Sequence, residues 1–243
     1  MNRSIKTALV TGGGTGIGLG IATALARNGY RVAIAGRRQD VLEQSAAAIE
    51  AESPVLSHTV DVADRDSVNQ LFDWALEQLG RIDVLVNSAG TNIKTRSMVE
   101  MAPEQWDQVL AVNATGTYNC MYAVLPHMRE RRDGLIINIS STSGLRAYEI
   151  AGVAYVASKF AAASLGTMVA NELGAEGIRV TTVYPGEVNT PLLDARPEPV
   201  SDEHKASILQ PEDVGQLVVT IAALPPRAHV CDVVIKPTRQ IMV

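Results

Sequence analysis

The feature that most limits what this chain can fold into is an alternation. Short β-branched runs, several of them apolar on both faces, are separated by longer stretches of helical period. The strand candidates are Thr7–Thr11, Arg31–Ala35, Val55–Val60, Val84–Asn87, Leu135–Ile139, Arg179–Val183 and Val230–Ile235. Helical candidates lie near Gly16–Asn28, Asp40–Glu52, Ser67–Leu79, Pro103–Val112, Gly116–Arg131, Ala154–Leu173 and Pro211–Ala223. Runs such as "VLVN" and "LIINI" leave no polar face for solvent, as expected of parallel strands covered by helices on both sides. Repetition of this kind predicts βαβ units, hence an α/β fold with an open, doubly wound parallel sheet of about seven strands. Ligands of such sheets bind at the carboxyl ends of the strands, so the residues just past each strand are where chemistry is sought.

No repeat, low-complexity tract or linker divides the 243 residues, which are read as one domain. A hydrophobic share of 47% is enough for a large core and argues against disorder. The net charge of −5 offers no broad basic surface for nucleic acid or anionic lipid. Cys120 and Cys231 read as buried thiols of a reducing, cytoplasmic compartment rather than as a disulfide framework. His58, His127, His204 and His229 show no metal-ligand spacing, so no metal site is expected. The stretch from Thr7 to Ala26 is uncharged and follows Arg3 and Lys6, as a targeting segment would. Its six glycines and four threonines insert poorly into a membrane, and a strand followed by a turn is the better reading.

"ALVTGGGTGIGLGIATALA" runs from strand through a glycine turn into a helix. Such a turn lets backbone N–H groups approach a pyrophosphate, and the helix N-terminus adds partial positive charge. The spacing Thr11-Gly12-x-x-x-Gly16-x-Gly18 differs from the common GxGxxG form, and a purely structural glycine turn is the competing explanation. The second strand adds a test. A carboxylate about 20 residues past the glycines would bond ribose hydroxyls and favour the unphosphorylated cofactor. Here "AIAGRRQD" has Gly36 at that place, followed by Arg37 and Arg38. Forked guanidinium donors suit a 2′-phosphate, so NADP(H) is favoured over NAD(H); two solvated arginines at a helix start are the alternative.

"GVAYVASKFAA" sets one phenol and one ammonium, Tyr155 and Lys159, among small and apolar residues. Four apart on a helix, they share a face. A free tyrosine titrates near pH 10, too high for a base at neutrality, and a cation within about 4–6 Å lowers that value. Taken alone, Tyr-x-x-x-Lys arises often by chance.

With "TGGGTGIG", "NSAG" (Asn87–Gly90), "VNATG" (Val112–Gly116), "ISSTSG" (Ile139–Gly144), "YVASK" and "YPGEVNT" (Tyr184–Thr190) in this order, the chain resembles the short-chain dehydrogenases/reductases, in their single-domain branch. The likeness spans roughly residues 5 to 191, and the ordered motifs are jointly specific. It implies a Rossmann-type fold and an NAD(P)-dependent enzyme acting on a carbonyl or secondary alcohol. It implies Asn113, Ser141, Tyr155 and Lys159 as the catalytic set. Tyr155 would be the acid/base and Ser141 would hold the substrate oxygen. Lys159 would bind the nicotinamide ribose and lower the phenol pKa, and Asn113 would support a relay water. Gly12, Thr15, Gly16 and Ile17 would cradle the cofactor, with Arg37 and Arg38 at its phosphate end. Asp61 and Val62 would meet the adenine, Asn87 and Gly90 would line the cleft, and Pro185, Val188 and Thr190 would position the nicotinamide. Ser140, Thr142 and Ser143 compete with Ser141, which matches by lying three before Gly144 and fourteen before Tyr155. The C-terminal "DVVIKPTRQIMV" departs from the glycine-rich end common in tetrameric members, which leaves homodimer and homotetramer both open.

Three segments should surround the substrate: Thr91–Met98, Ser143–Gly152 and the stretch after Thr190. The last, "PLLDARPEPVSDEHKAS", reads as a surface lid near 190–207. Lys94, Arg96 and Arg146 could meet a substrate carboxylate or phosphate, or be solvated loop charges. The expected substrate is a small polar carbonyl or alcohol. A 3-oxoacyl thioester on a carrier protein is the alternative, and a non-catalytic cofactor-sensing module is a third reading of a different class.

Overall fold

Seven strands form one sheet, every neighbouring pair parallel: β1 (Thr7–Thr11), β2 (Arg31–Gly36), β3 (Leu56–Thr59), β4 (Val84–Asn87), β5 (Gly134–Ile139), β6 (Ile178–Pro185) and β7 (Asp232–Ile235). Their spatial order is β3-β2-β1-β4-β5-β6-β7. The structure, a computed structural model, describes residues 5–241; Arg3, and Met242 and Val243 of the C-terminal segment, lie outside the described residues. The helices are α1 (Gly16–Arg27), α2 (Gln39–Ala48), α3 (Arg65–Leu79), α4 (Pro103–Leu110), α5 (Gly116–Arg131), α6 (Val153–Leu173), α7 (Asp202–Ser207) and α8 (Pro211–Ala223). The chain winds outward from β1 to β3, then crosses to β4 on the other side of β1. That reversal opens a crevice at the carboxyl ends of β1 and β4, where Thr11 lies opposite Asn87.

The two-residue period of the strands builds a core on each face of the sheet. Ala8, Val10, Val86 and Ile137 point to one face, against Ile21 and Leu25 of α1 and Val214 and Val218 of α8. Leu9, Leu85 and Ile136 point to the other, against Leu71 of α3 and Met121 and Met128 of α5. Leu9, Leu85 and Ile136 have no solvent exposure. Each such side chain contributes about 1.5–3 kcal/mol by burial.

Most element boundaries follow the sequence pattern; the exceptions have local causes. α3 starts two residues earlier than its apolar period because the Asp64 carboxylate caps it, accepting from the Asp66 N–H at 2.9 Å. β7 starts at Asp232 rather than Val230, whose carbonyl accepts the Thr181 hydroxyl at 2.6 Å. β6 runs on to Pro185. Between α4 and α5 the backbone takes a π-helical stretch over Ala111–Thr115, a feature common at functional sites. The segment read as a lid carries a 3₁₀ turn (Pro191–Ala195) and α7, capped by Ser201, whose hydroxyl accepts from the His204 N–H. Both cysteines are free. Cys120 is buried, and burial pushes its thiol up to about 12; Cys231, against expectation, is exposed.

Candidate active site

The glycine turn is shaped by contact. Gly12 has φ +66°, and a Cβ there would lie 2.7 Å from the Ala89 backbone nitrogen; one on Gly18 would lie 2.2 Å from the Gly12 carbonyl oxygen. Only glycine lets the turn sit flush against both the β4 loop and α1. Thr15, the N-cap of α1, makes no side-chain cap bond, so the first-turn N–H groups remain available to a ligand. A backbone cradle of this shape, open at a helix N-terminus, fits a dinucleotide pyrophosphate.

At the far end of the cradle, Gly36, Arg37, Arg38, Asp61, Val62 and Gly90 border a cleft of about 150 Å³. Arg37 and Arg38 are exposed. The Asp61 carboxylate accepts from the Ala63 N–H at 3.0 Å within its own turn.

The centre lies on the first turns of α6. Lys159 Nζ donates to the Ile139 carbonyl at 2.9 Å and stands 5.5 Å from the Tyr155 ring centroid. Lys159 is 6% exposed, and burial pulls its ammonium down to about 8. Burial holds the Tyr155 phenol above its ordinary value, opposed by a hydrogen bond with Ser141 and by the positive charge of Arg96. Ser141 is thus the member of "SSTSG" that reaches the phenol. Its Oγ also accepts from the Ser143 N–H at 3.1 Å, while Ser140 Oγ donates to the Lys159 carbonyl at 3.0 Å. Arg96 is thus a second cation beside the phenol, in addition to Lys159, to which the sequence pointed.

Two asparagines act beneath this surface. Asn113, in the π-helical stretch, is buried: Nδ2 donates to the Thr91 carbonyl and to Ser158 Oγ, both at 2.9 Å, and Oδ1 accepts from the Thr91 N–H at 2.8 Å. It ties the loop after β4 to α6. Asn87 Nδ2 donates to Asn138 Oδ1 at 2.9 Å across the sheet, and its own Oδ1 is buried without a partner among the described residues. Neither side chain borders the 150 Å³ cleft or the two clefts that meet at Tyr155.

Two larger clefts, each of about 360 Å³, meet at Tyr155. One is bordered by Gly12, Thr15, Gly16, Ile17, Gly90 and Lys159. The other is bordered by Ser141, Pro185, Val188, Arg96, Glu187 and Arg196. Tyr155, Ile17 and Thr190 border both, Lys159 only the first and Ser141 only the second. Within the second cleft Arg96 clasps three loops. Nε donates to the Ile93 carbonyl at 3.2 Å, Nη1 to the Ile150 carbonyl, and Nη2 to the Ala195 carbonyl at 2.8 Å. Glu187 accepts from Arg196 and faces His204 Nε2 of α7 at 2.8 Å. Burial opposes its ionisation, but the bonds from Arg196 and His204 hold its carboxyl below the ordinary range. Lys94 and Arg146 are exposed and border neither cleft.

Sequence reasoning singled out neither Glu187 nor Arg196 nor His204. One signal was present: Glu187 is an acid embedded in the otherwise uncharged "YPGEVNT". Arg196 and His204 sit in a polar segment where a charge carries no signal.

A parallel sheet with a glycine cradle at its switch point, and a phenol, lysine and serine at the adjoining cleft, defines a nucleotide-binding oxidoreductase. Comparison with known proteins agrees. The short chain dehydrogenase family matches over residues 6–200. An uncharacterized oxidoreductase of Staphylococcus saprophyticus is 35% identical over 234 residues, covering 96% of this chain and 97% of that one. An alcohol dehydrogenase from the archaeon Thermococcus sibiricus, complexed with 5-hydroxy-NADP, superposes with a TM-score of 0.88 at 29% identity, covering 98% and 99% of the two chains. A 3-ketoacyl-(acyl-carrier-protein) reductase from Brucella melitensis, complexed with NADH, gives a TM-score of 0.88 at 28% identity over 97% and 98%. The chain belongs to the short-chain dehydrogenase/reductase family and is an oxidoreductase with a Rossmann-type fold.

Proposed function

We propose that the protein is an NADP(H)-dependent oxidoreductase interconverting a carbonyl and a secondary alcohol on a small polar substrate. The observation that carries this reading is the position of Tyr155, bordering both clefts with Lys159 on one side and Ser141 on the other. The glycine turn and the start of α1 hold the pyrophosphate, and Asp61 and Val62 flank the adenine. Arg37 and Arg38 take the 2′-phosphate through forked, charge-assisted donors. Pro185, Val188 and Thr190 border the nicotinamide. When bound, the cofactor supplies or accepts the hydride.

Tyr155 gives its phenolic proton to the carbonyl oxygen in reduction and takes the hydroxyl proton in oxidation. Ser141 donates to the same oxygen, its lone pair already engaged by the Ser143 N–H. Lys159 bonds the ribose hydroxyls and, as ammonium, joins Arg96 in favouring the phenolate. Asn113 holds the Thr91 loop and α6 in register, from where it would support a water in the proton path.

Similarity to the Brucella reductase keeps a 3-oxoacyl thioester as the second substrate class. Self-association is part of the proposal: Tyr122 on α5 is 67% exposed and Met168 on α6 60% exposed, with Tyr118 and Phe160 beside them in sequence register. Apolar area of this kind marks contact surfaces. Turnover of hydroxy acids, polyols, ketones and oxoacyl thioesters with NADPH/NADP⁺ and NADH/NAD⁺ tests the function. Robust turnover of one class with NADP(H) is expected; cofactor binding without turnover of any class would contradict it.

A further inference from the structure

The substrate cleft carries more positive charge than it neutralises. Apart from tyrosines, its ionisable border consists of Arg96, Glu187 and Arg196, two guanidiniums against one carboxylate. Both Glu187 oxygens are engaged, one by Arg196 and one by His204. Arg96 spends its bonds on backbone carbonyls and has no carboxylate partner among the described residues. Burial, then the neighbouring charge of Arg196, pulls its guanidinium below its ordinary value. The Arg196 side chain is only 19% exposed, yet its Nε and Nη1 have no partner among the described residues. Two guanidiniums held partly away from water with one carboxylate between them are costly, and an anion entering the cleft relieves that cost.

We propose that the substrate is a short-chain hydroxy or oxo acid whose carboxylate docks on Arg196, with Arg96 behind it, while its reacting carbon lies at Ser141 and Tyr155. The inference rests on the oxidoreductase reading and names the substrate class of that site. Chain length follows from the cleft itself: Ser141, Tyr155, Arg96 and Arg196 all border one space of about 360 Å³, so acid group and reacting centre belong to one short molecule. A volume of about 360 Å³ is at the small end for ligand sites, and Ile150, Leu192 and Ile241 supply apolar walls for a short alkyl part. A singly charged carboxylate suits the site better than a phosphate, because Glu187 already holds one edge of Arg196 and repels a dianion.

The test compares lactate and 3-hydroxybutyrate with their methyl esters at saturating NADP⁺, in the wild type, Arg196→Gln and Arg196→Lys. The acids should exceed the esters in kcat/KM by at least about tenfold, mainly through KM. That preference should fall to near parity in Arg196→Gln and be partly kept in Arg196→Lys. Without cofactor, the acids should raise the Tm of the wild type and not of Arg196→Gln, while the esters should not. Good turnover of esters at or above the rate of the acids would overturn the inference and leave the oxidoreductase reading intact. Failure of every alcohol and carbonyl would count against that reading instead. The cofactor-free Tm series then decides the carboxylate site: acid-specific stabilisation supports it, and none overturns it.

Discussion

On the cofactor side of Tyr155 the chain offers backbone; on the substrate side it offers charged side chains that already hold one another. The glycine turn needs only small residues and open N–H groups, and its two arginines stand exposed beside the 150 Å³ end of the cleft. The other cleft is closed by Arg96 on three loop carbonyls and by Arg196 and His204 on Glu187. A backbone cradle takes any ligand of the right shape and charge, whereas a clasped side-chain cluster must keep its own bonds while adding the substrate's. Generic binding is thus separated from selective binding, and Lys159 and Arg96 are the cations on the two sides of the phenol.

That comparison is broken most severely at Lys159. Lys159→Met should lower turnover by at least about 10² and weaken cofactor binding, and should move oxidation to higher pH as the phenol loses a cation. Because burial pulls its ammonium down to about 8, wild-type affinity for NADPH should fall as pH rises through that value, with the lysine becoming neutral. Calorimetric titration from pH 6.5 to 9.5 checks this; the methionine variant should show no such fall.

Arg96 separates charge from clasp. Arg96→Met should raise the pH at which oxidation appears, since the charge that lowers the Tyr155 phenol is gone. It should also cost about 1–3 kcal/mol of stability through the carbonyls left without a donor. Arg96→Lys should keep the pH profile but raise KM and speed hydrogen exchange over residues 190–207. Equal pH profiles in all three proteins would show that Arg96 is a structural clasp alone.

Smaller effects are expected at the rims. On the cofactor side, Arg37→Ala should remove a preference for NADPH over NADH of at least tenfold, about 1.4 kcal/mol, in titrations at fixed salt. On the substrate side, the folded pKa of Glu187 lies below its ordinary value, so its stabilisation is present above about pH 4.3 and lost as pH falls through the lowered value. The stability difference between wild type and Glu187→Gln, at most about 1 kcal/mol, should therefore shrink below that pH, read as a shrinking Tm difference.

The sheet and the glycine turn were legible because both are written locally. Strand alternation gives each β-element its two faces, and glycine spacing encodes a turn within a few residues. Tyr155 and Lys159 were legible for the same reason, one helical turn on one element. The substrate half was not. Arg96, Glu187, Arg196 and His204 come from the loop after β4, the turn after β6 and the 190–207 segment, brought together only by the fold, and apart from Glu187 each reads alone as a solvated charge. Even Lys94, two residues from Arg96, is indistinguishable from it in sequence and ends up exposed outside the cleft. The π-helical stretch was equally hidden, since its residues have ordinary helical composition. It turns the Asn113 side chain wholly inward, which an asparagine in "VNATG" does not announce.

The central claim is that Tyr155, at the junction of the two clefts, moves the reacting proton. Tyr155→Phe removes the hydroxyl and keeps the ring, so the measurement is its turnover together with its NADPH affinity and Tm. Turnover should fall by about 10² to 10⁴ while cofactor affinity and folding change little, because Lys159 and the glycine turn remain. A folded Tyr155→Phe protein that binds NADPH normally and turns over at near the wild-type rate would contradict the account.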